Sequence, residues 1–254
     1  MKIIQDFKVL SNIKISKDYF VLDLLSDKKL PKIQPGQFVQ VLIENSKNTF
    51  LRRPFSIHDV NYEQNTISLL IKKIGEGTTS LSLIQKGDKL NIIYPLGNNF
   101  KVLNNKKVLL IGGGCGIAPL LYLAKKLYLN NNHITTLIGG KCKYDIIETD
   151  EFFKISDIKI TTEDGFIGEK GFVTEHSVFT NNLDFDFIYS CGPEMMLKSV
   201  AKIAKLKNID CEISLENTMA CGFGACLCCV TETKDGNKCV CTDGPVFNIN
   251  KLKW

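Results

Sequence analysis

The chain has 254 residues, enough for two or three small units that each bury a core. Hydrophobic residues make up 44% and charged residues 23%, an ordinary balance for a globular protein. The net charge of +5 comes from scattered lysines without a polybasic block, which argues against nucleic-acid and membrane-surface binding.

Residues 1–10 already alternate like a strand, with Ile3, Ile4, Phe7 and Val9 apolar, and lack the apolar stretch of a signal peptide. No later run approaches the roughly 18–20 apolar residues that span a bilayer, so a cytoplasmic protein is expected. Further strands are predicted at 19–24, 37–43, 66–73 and 89–93, punctuated by Pro35-Gly36 and Gly87-Asp88. No long amphipathic helix interrupts them, which favours an antiparallel barrel or sandwich.

The rhythm changes near residue 106. A short apolar run at 108–111 suits a buried parallel strand, and Gly112-Gly113-Gly114-Cys115-Gly116-Ile117-Ala118-Pro119 follows it directly. Apolar residues at helical spacing then occupy 117–129 (Leu120, Leu121, Leu123, Ala124, Leu127). Strands at 134–138, 158–161 and 187–190 and a helix at 194–207 complete an alternation that predicts a doubly wound α/β unit. The last 40 residues have little helical periodicity and too little apolar content for a core, so they need a staple.

That staple is legible in the cysteines. Of ten, Cys115, Cys142, Cys191 and Cys211 are dispersed, while Cys221, Cys226, Cys228, Cys229, Cys239 and Cys241 crowd into 21 residues. A cytosolic chain does not use such a set as disulfides. Cys221, Cys226 and Cys229 are spaced C-x4-C-x2-C, with Cys241 eleven residues further on, the plant-type arrangement for a [2Fe–2S] cluster. Gly222 and Gly224 let the backbone fold round such a cluster. The competing set is a zinc site of Cys226, Cys229, Cys239 and Cys241, which would make the tail a non-enzymatic interaction module. Its C-x-C pair suits zinc poorly, and it leaves Cys221 and the glycines unused.

Arg52 and Arg53 are the only arginines among 32 basic residues. Their retention in so lysine-rich a chain points to a place that needs a planar fork, such as a bidentate phosphate contact. The glycine loop at 112–119 lies between a strand and a helix, where main-chain amides and the helix dipole favour a pyrophosphate. Pro119 stands where a Rossmann fingerprint has its third glycine. Cys191-Gly192-Pro193 repeats the strand-to-helix arrangement. His58, His133 and His176 are isolated and read as surface or structural.

Leu51-Arg52-Arg53-Pro54-Phe55-Ser56 matches the R-x-[YF]-[ST] pattern of the ferredoxin-reductase flavin domain, and Gly75-Glu76-Gly77-Thr78-Thr79 resembles its second phosphate loop. With the G-x-G-x-x-P loop, the C-G-P segment and the tail in this order, the chain resembles the electron-transfer subunit of NAD-dependent (class 1B) dihydroorotate dehydrogenase. The most diagnostic stretch runs from Ser214-Leu215-Glu216 through Met219-Ala220-Cys221 to Cys241-Thr242-Asp243-Gly244-Pro245, and Tyr94-Pro95-Leu96-Gly97 belongs to the same pattern.

The resemblance implies an α+β multidomain fold. Its parts would be an FAD-binding β-barrel at 1–101, an NAD-binding α/β domain at 102–212 and a [2Fe–2S] domain at 213–254. It assigns FAD to Arg53, Pro54, Phe55, Ser56, Ile71, Lys72, Lys73, Gly77, Thr78 and Thr79. It assigns NAD to Gly112, Gly113, Gly114, Gly116, Pro119, Gly192 and Pro193. Cys191 would lie beside the flavin and nicotinamide rings, and Cys221, Cys226, Cys229 and Cys241 would hold the cluster. The implied partner is an FMN-containing catalytic subunit in a two-plus-two heterotetramer, with electrons passing between its FMN and NAD through the cluster and FAD in pyrimidine biosynthesis. No base for the dihydroorotate C–H bond is identifiable, so oxidation of that substrate by this chain alone is not expected. The alternative within the same cofactor frame is a reductase subunit of a sulfide- or ferredoxin-linked enzyme, whose relatives typically carry aspartate at the position of Cys221. Lys72 and Lys73 stand where an arginine is frequent in the family.

Overall fold

A computed structural model describes residues 2–44, 46–180 and 183–254. The first half is one antiparallel sheet of β1 (Ile3–Lys14), β2 (Tyr19–Ser26), β3 (Phe38–Val41), β4 (Arg53–Ser56), β5 (Asp59–Asn61), β6 (Thr66–Lys72) and, after the short helix α1 (Glu76–Leu81), β7 (Lys89–Leu96). The strand order is β4-β3-β7-β1-β2-β6-β5, and the sheet curls until β4 meets β6. Alternation explains the curl: Phe7, Val9, Leu22, Leu24, Val39, Val41, Ile67 and Leu69 all point into one core. The predicted strand at 37–43 shortens to four residues, and the expected phosphate loop at 75–79 is largely the first turn of α1.

The second half is built on β8 (Lys107–Gly113), α2 (Ala118–Leu129), β9 (His133–Gly140), α3 (Thr149–Phe153), β10 (Asp157–Thr162), β11 (Glu169–Lys170), β12 (Phe187–Cys191), α4 (Glu194–Leu206) and β13 (Asp210–Ser214). Its sheet runs β11-β10-β9-β8-β12-β13 in parallel. Val108 and Leu110 face the core under α2, while Leu109 and Ile111 face the core under α4. Burial on both faces accounts for the continuous apolar run of β8. The chain leaves β8 toward β9 on one side and returns through β12 on the other, so the switch point lies between β8 and β12.

The tail forms a hairpin of β14 (Val230–Thr233) and β15 (Gly236–Cys239), then sends β16 (Val246–Asn248) back to pair antiparallel with β13. Phe38, Ile93 and Leu96 of the first sheet share one core with Cys229, Val240, Cys241 and Phe247 of the tail and with α4. The described residues contain no helix long and apolar enough to cross a membrane.

Candidate functional site

The two arginines do different work. Arg52 donates Nη1–H to the Asn91 carbonyl at 2.9 Å and the Gln40 carbonyl at 3.3 Å, and its other arm binds the Asn91 side chain. It ties β3 to β7. Arg53, on β4, has the nearby Leu51 carbonyl as its one acceptor among the described residues, at 2.8 Å in an exposed bond. Ser56 pairs with Phe38 on the outer face of β3 and Phe55 packs on the barrel core.

Across from β4, Gly77 packs so closely on Thr49 and Ile43 that a Cβ would stand 3.0–3.1 Å from them. The Thr78 hydroxyl accepts the amides of Ile74 and Gly75, fixing the turn, while Thr79 is exposed. Glu76 is engaged by Asn48 and Ser46, whose hydrogen bonds hold its carboxyl below the ordinary value. That acid is therefore occupied away from an incoming phosphate.

Of the β6 residues, Ile71 is buried in the barrel core, so its main chain alone can face a cofactor. Lys72 lies 3.1 Å from Asp145 Oδ1 and over the Tyr19 ring, whose hydroxyl donates to the same oxygen at 2.9 Å. This bridge joins the barrel to the segment after β9. Burial works against the lysine's charge, but its bonds to Tyr19 and Asp145 prevail and raise its value. Lys73 borders a surface cavity of about 490 Å³ with Lys14, Lys86 and Ser16.

The two glycine loops meet at the switch point. A Cβ on Gly116 would stand 2.2 Å from the Cys191 carbonyl oxygen, and one on Gly113 would stand 2.7 Å from Met196 and 2.8 Å from Pro193. Gly192 adopts φ +151° with Gly113 beside it. Only glycine permits this approach, which leaves amides and the first turns of α2 and α4 at one crevice. Gly112 packs on Ile117, Gly114 turns at φ +52°, and Pro119 is the second residue of α2.

Cys191 lies at the crevice floor, 1% exposed, and burial first, with Glu216 second, pushes its thiol well above the usual range. Burial there works against a thiolate. Two residues not singled out for the site also border this crevice. Cys115 on the glycine loop reaches the Leu70 carbonyl of β6 at 4.0 Å. Glu216, whose carboxyl burial pushes upward, influences both thiols even though part of its side chain is open to solvent. Cys115 sits inside the glycine loop and Glu216 inside the Ser214-Leu215-Glu216 stretch, but only the fold brings them together.

The tail thiols approach in pairs. Cys226 interacts with Cys221, and Cys241 interacts with Cys229, whose sulfur also accepts the Cys241 amide at 3.3 Å. Among the described residues no three His, Cys, Asp or Glu side chains are grouped to hold one metal ion. Burial acts to raise the Cys221 thiol, but the amides of Phe223, Cys226 and Ala225 outweigh it and bring it down to about 6. A loop that aims several amides at sulfur is built for thiolates. Gly222 and Gly224 hold it at φ +77° and +88°. Cys239 also approaches Cys229, so it contends with Cys241, but the Gly224 amide reaches Cys241. Cys228 is exposed.

Tyr94-Pro95-Leu96-Gly97 serves the tail. Asn98, just beyond it, donates its amide to the Gly244 carbonyl at 2.6 Å and its side chain to the carbonyls of Asp243 and Val246, and accepts the Val246 amide. His58, buried, bonds the Ala118 carbonyl at the start of α2 and Glu148, joining the two large units; its role is structural. His176 is likewise buried, and His133 is exposed.

A flavin-type barrel, a nucleotide crevice at a switch point and a thiol-lined tail define a ferredoxin-reductase-like electron-transfer protein. The family model for the oxidoreductase FAD-binding domain matches residues 6–100, and that for the iron–sulfur cluster binding domain of dihydroorotate dehydrogenase B matches residues 216–253. The chain belongs to the family of dihydroorotate dehydrogenase B (NAD(+)) electron transfer subunits. The subunit of that name from Caldanaerobacter subterraneus subsp. tengcongensis is 42% identical over 94% of both chains, and that from Clostridium perfringens is 40% identical over 95% of this chain and 94% of its own. A solved structure of an NADH-dependent reduced ferredoxin-NADP oxidoreductase, described in terms of flavin-based electron bifurcation, superposes with a TM-score of 0.88. It shares 31% identity over 98% of this chain and 90% of its own. The ferredoxin reductase of carbazole 1,9a-dioxygenase, at TM-score 0.70 and 19% identity over 82% of this chain and 67% of its own, shares the fold.

Proposed function

We propose that this chain passes electrons between NAD and a flavin-bearing catalytic partner that interconverts dihydroorotate and orotate. The observation that carries this reading is convergence: β3 has the flavin strand β4 as its neighbour and the cysteine tail on its outer face, while the glycine crevice opens beside β6. FAD in the barrel would accept or give a hydride and exchange electrons singly with a [2Fe–2S] cluster in the tail.

The chain's own contributions are binding and alignment. Arg53 and the main chain of Gly77, Thr78 and Thr79 would hold the FAD pyrophosphate, and Pro54, Phe55, Ser56, Ile71, Lys72 and Lys73 would line the rest of the flavin site. Gly112, Gly113, Gly114, Gly116, Pro119, Gly192 and Pro193 shape the nicotinamide dinucleotide crevice, and neutral Cys191 keeps its floor tight and uncharged. Cys221, Cys226, Cys229 and Cys241 would hold the cluster. Residues 1–101, 102–212 and 213–254 act as flavin, nicotinamide and cluster units, the last lending β16 to the second sheet. Two such chains with two catalytic subunits form the working assembly, in the cytoplasm, where cysteines not paired as disulfides persist.

The test begins with anaerobically purified protein. Two irons, two sulfides and one FAD per chain are expected. Cys226→Ser and Cys241→Ser should lose the cluster, whereas Cys228→Ser and Cys239→Ser should keep it. Mixing with a cognate dihydroorotate dehydrogenase catalytic subunit should restore NAD reduction by dihydroorotate. Zinc without sulfide, or failure of that reconstitution, would overturn the proposal. The likeness to the ferredoxin-NADP oxidoreductase favours one second reading, a ferredoxin-linked reductase subunit. Rapid turnover with reduced ferredoxin and no response to dihydroorotate would select it.

A further inference from the structure

The outer face of β3 carries a side chain that the barrel leaves unsatisfied. Gln40 is 0% exposed, and neither its Oε1 nor its Nε2 has a hydrogen-bond partner among the described residues. Leaving a buried amide unpaired carries its full desolvation penalty, so glutamine is a poor choice for mere packing.

Its direction is fixed by its neighbours. Val39 and Val41 point into the barrel, whereas Phe38 points outward into the core that contains Cys229 and Cys241. Gln40 shares Phe38's outward side. The pairing of β3 with β7 slips between Phe38 and Gln40, a local irregularity of the kind that re-aims side chains. Directly over Gln40 lies Gly222, where a Cβ would stand 2.6 Å from Gln40 Cγ and 2.9 Å from Nε2. Gly222 is the residue after Cys221, and the next amide, of Phe223, donates to the Cys221 sulfur at 3.4 Å. Across the sheet Gln40 pairs with Pro54, inside the flavin strand. The unpaired amide therefore stands between the flavin motif and the Cys221–Cys226 loop.

We propose that Gln40 is a positioning residue of the cluster, its Nε2–H donating to a cysteine or inorganic sulfur of the Cys221–Cys226 loop. This rests on the reading that the tail holds a [2Fe–2S] cluster. A donor fixed in a dry interior stabilises the state with more negative charge on sulfur. Gln40 thus favours the reduced cluster and makes it a better acceptor for electrons arriving from the flavin side.

The experiment uses full-length protein reconstituted anaerobically, with iron and sulfide measured first. If the native protein holds no cluster, the functional reading fails; the inference about Gln40 is judged on loaded protein. In loaded Gln40→Met, the one-electron reduction equilibrium should move about three- to tenfold toward the oxidised form, where tenfold corresponds to 59 mV. The electron paramagnetic resonance g-values of the reduced cluster should change with it, and Gln40→His, which restores a donor, should recover most of the shift. An unchanged potential and spectrum in loaded Gln40→Met would overturn the inference. Should that variant fail to fold or load, native protein with 15N in the glutamine side chains decides. Hyperfine spectroscopy of its reduced cluster should detect a coupled side-chain nitrogen, and absence of that coupling would equally overturn it.

Discussion

Arg52 and Arg53 are neighbours in sequence and opposites in use. Arg52 uses its fork on Asn91 and the Gln40 carbonyl, whereas Arg53 bonds the exposed Leu51 carbonyl alone among the described residues. Arg52→Lys cannot reach both acceptors and should cost about 1–3 kcal/mol of unfolding stability with flavin affinity unchanged. Arg53→Ala should leave the apo-protein's melting temperature in place and weaken FAD binding about tenfold to hundredfold, as one charge-assisted contact predicts. Flavin fluorescence titration beside thermal melting separates the two, and the reverse pattern would refute the division. Composition alone marked the pair as special, and the R-x-[YF]-[ST] pattern marked Arg53. Arg52's role was illegible because Asn91 comes from β7, far along the chain. Gln40 was missed for a similar reason: nothing local says that Gly222 will lie over it.

Element against element, the barrel and the nucleotide sheet are held by Tyr19, Lys72 and Asp145 on one side and by His58, Glu148, Asp59 and Lys125 on the other. Burial acts to raise the Asp145 carboxyl, but Lys72 and Tyr19 overcome it and hold the value below the ordinary 3.8. A group lowered in the folded state stabilises fully above its unfolded value, and that contribution disappears as pH falls through the folded one. Melting temperature should therefore fall between about pH 5 and pH 2 less steeply in Asp145→Asn than in the parent. An identical slope in both would show that the bridge contributes nothing. At the crevice, Gly116→Ala must push the Cys191 carbonyl away, so NADH affinity should drop at least tenfold while FAD content stays constant. The strand and helix rhythm of this half was readable because burial on both faces of β8 leaves an unbroken apolar run. α1 and α3 were not, since six and five residues are too few for a period of 3.6 to declare itself.

Across the whole molecule the tail is the least independent part. Its cysteine spacing was plain in the sequence, but its path was not: Val246, Phe247 and Asn248 form a three-residue strand with no pattern to read. Asn98 holds this return with four hydrogen bonds from the end of the barrel, so Asn98→Ala should loosen the tail and speed iron loss to chelator severalfold, with flavin retained. Equal iron retention would show the clamp to be redundant.

The pairing of β16 with β13 has a consequence for solubility. Without that final strand, β13 would present a bare row of amides and carbonyls flanked by Ile213, a template to which another molecule could add. A chain shortened before Val246 should accordingly self-associate even where its FAD and nucleotide sites stay intact. The closing residues thus act as a selvedge that keeps the woven sheet from catching on its neighbours.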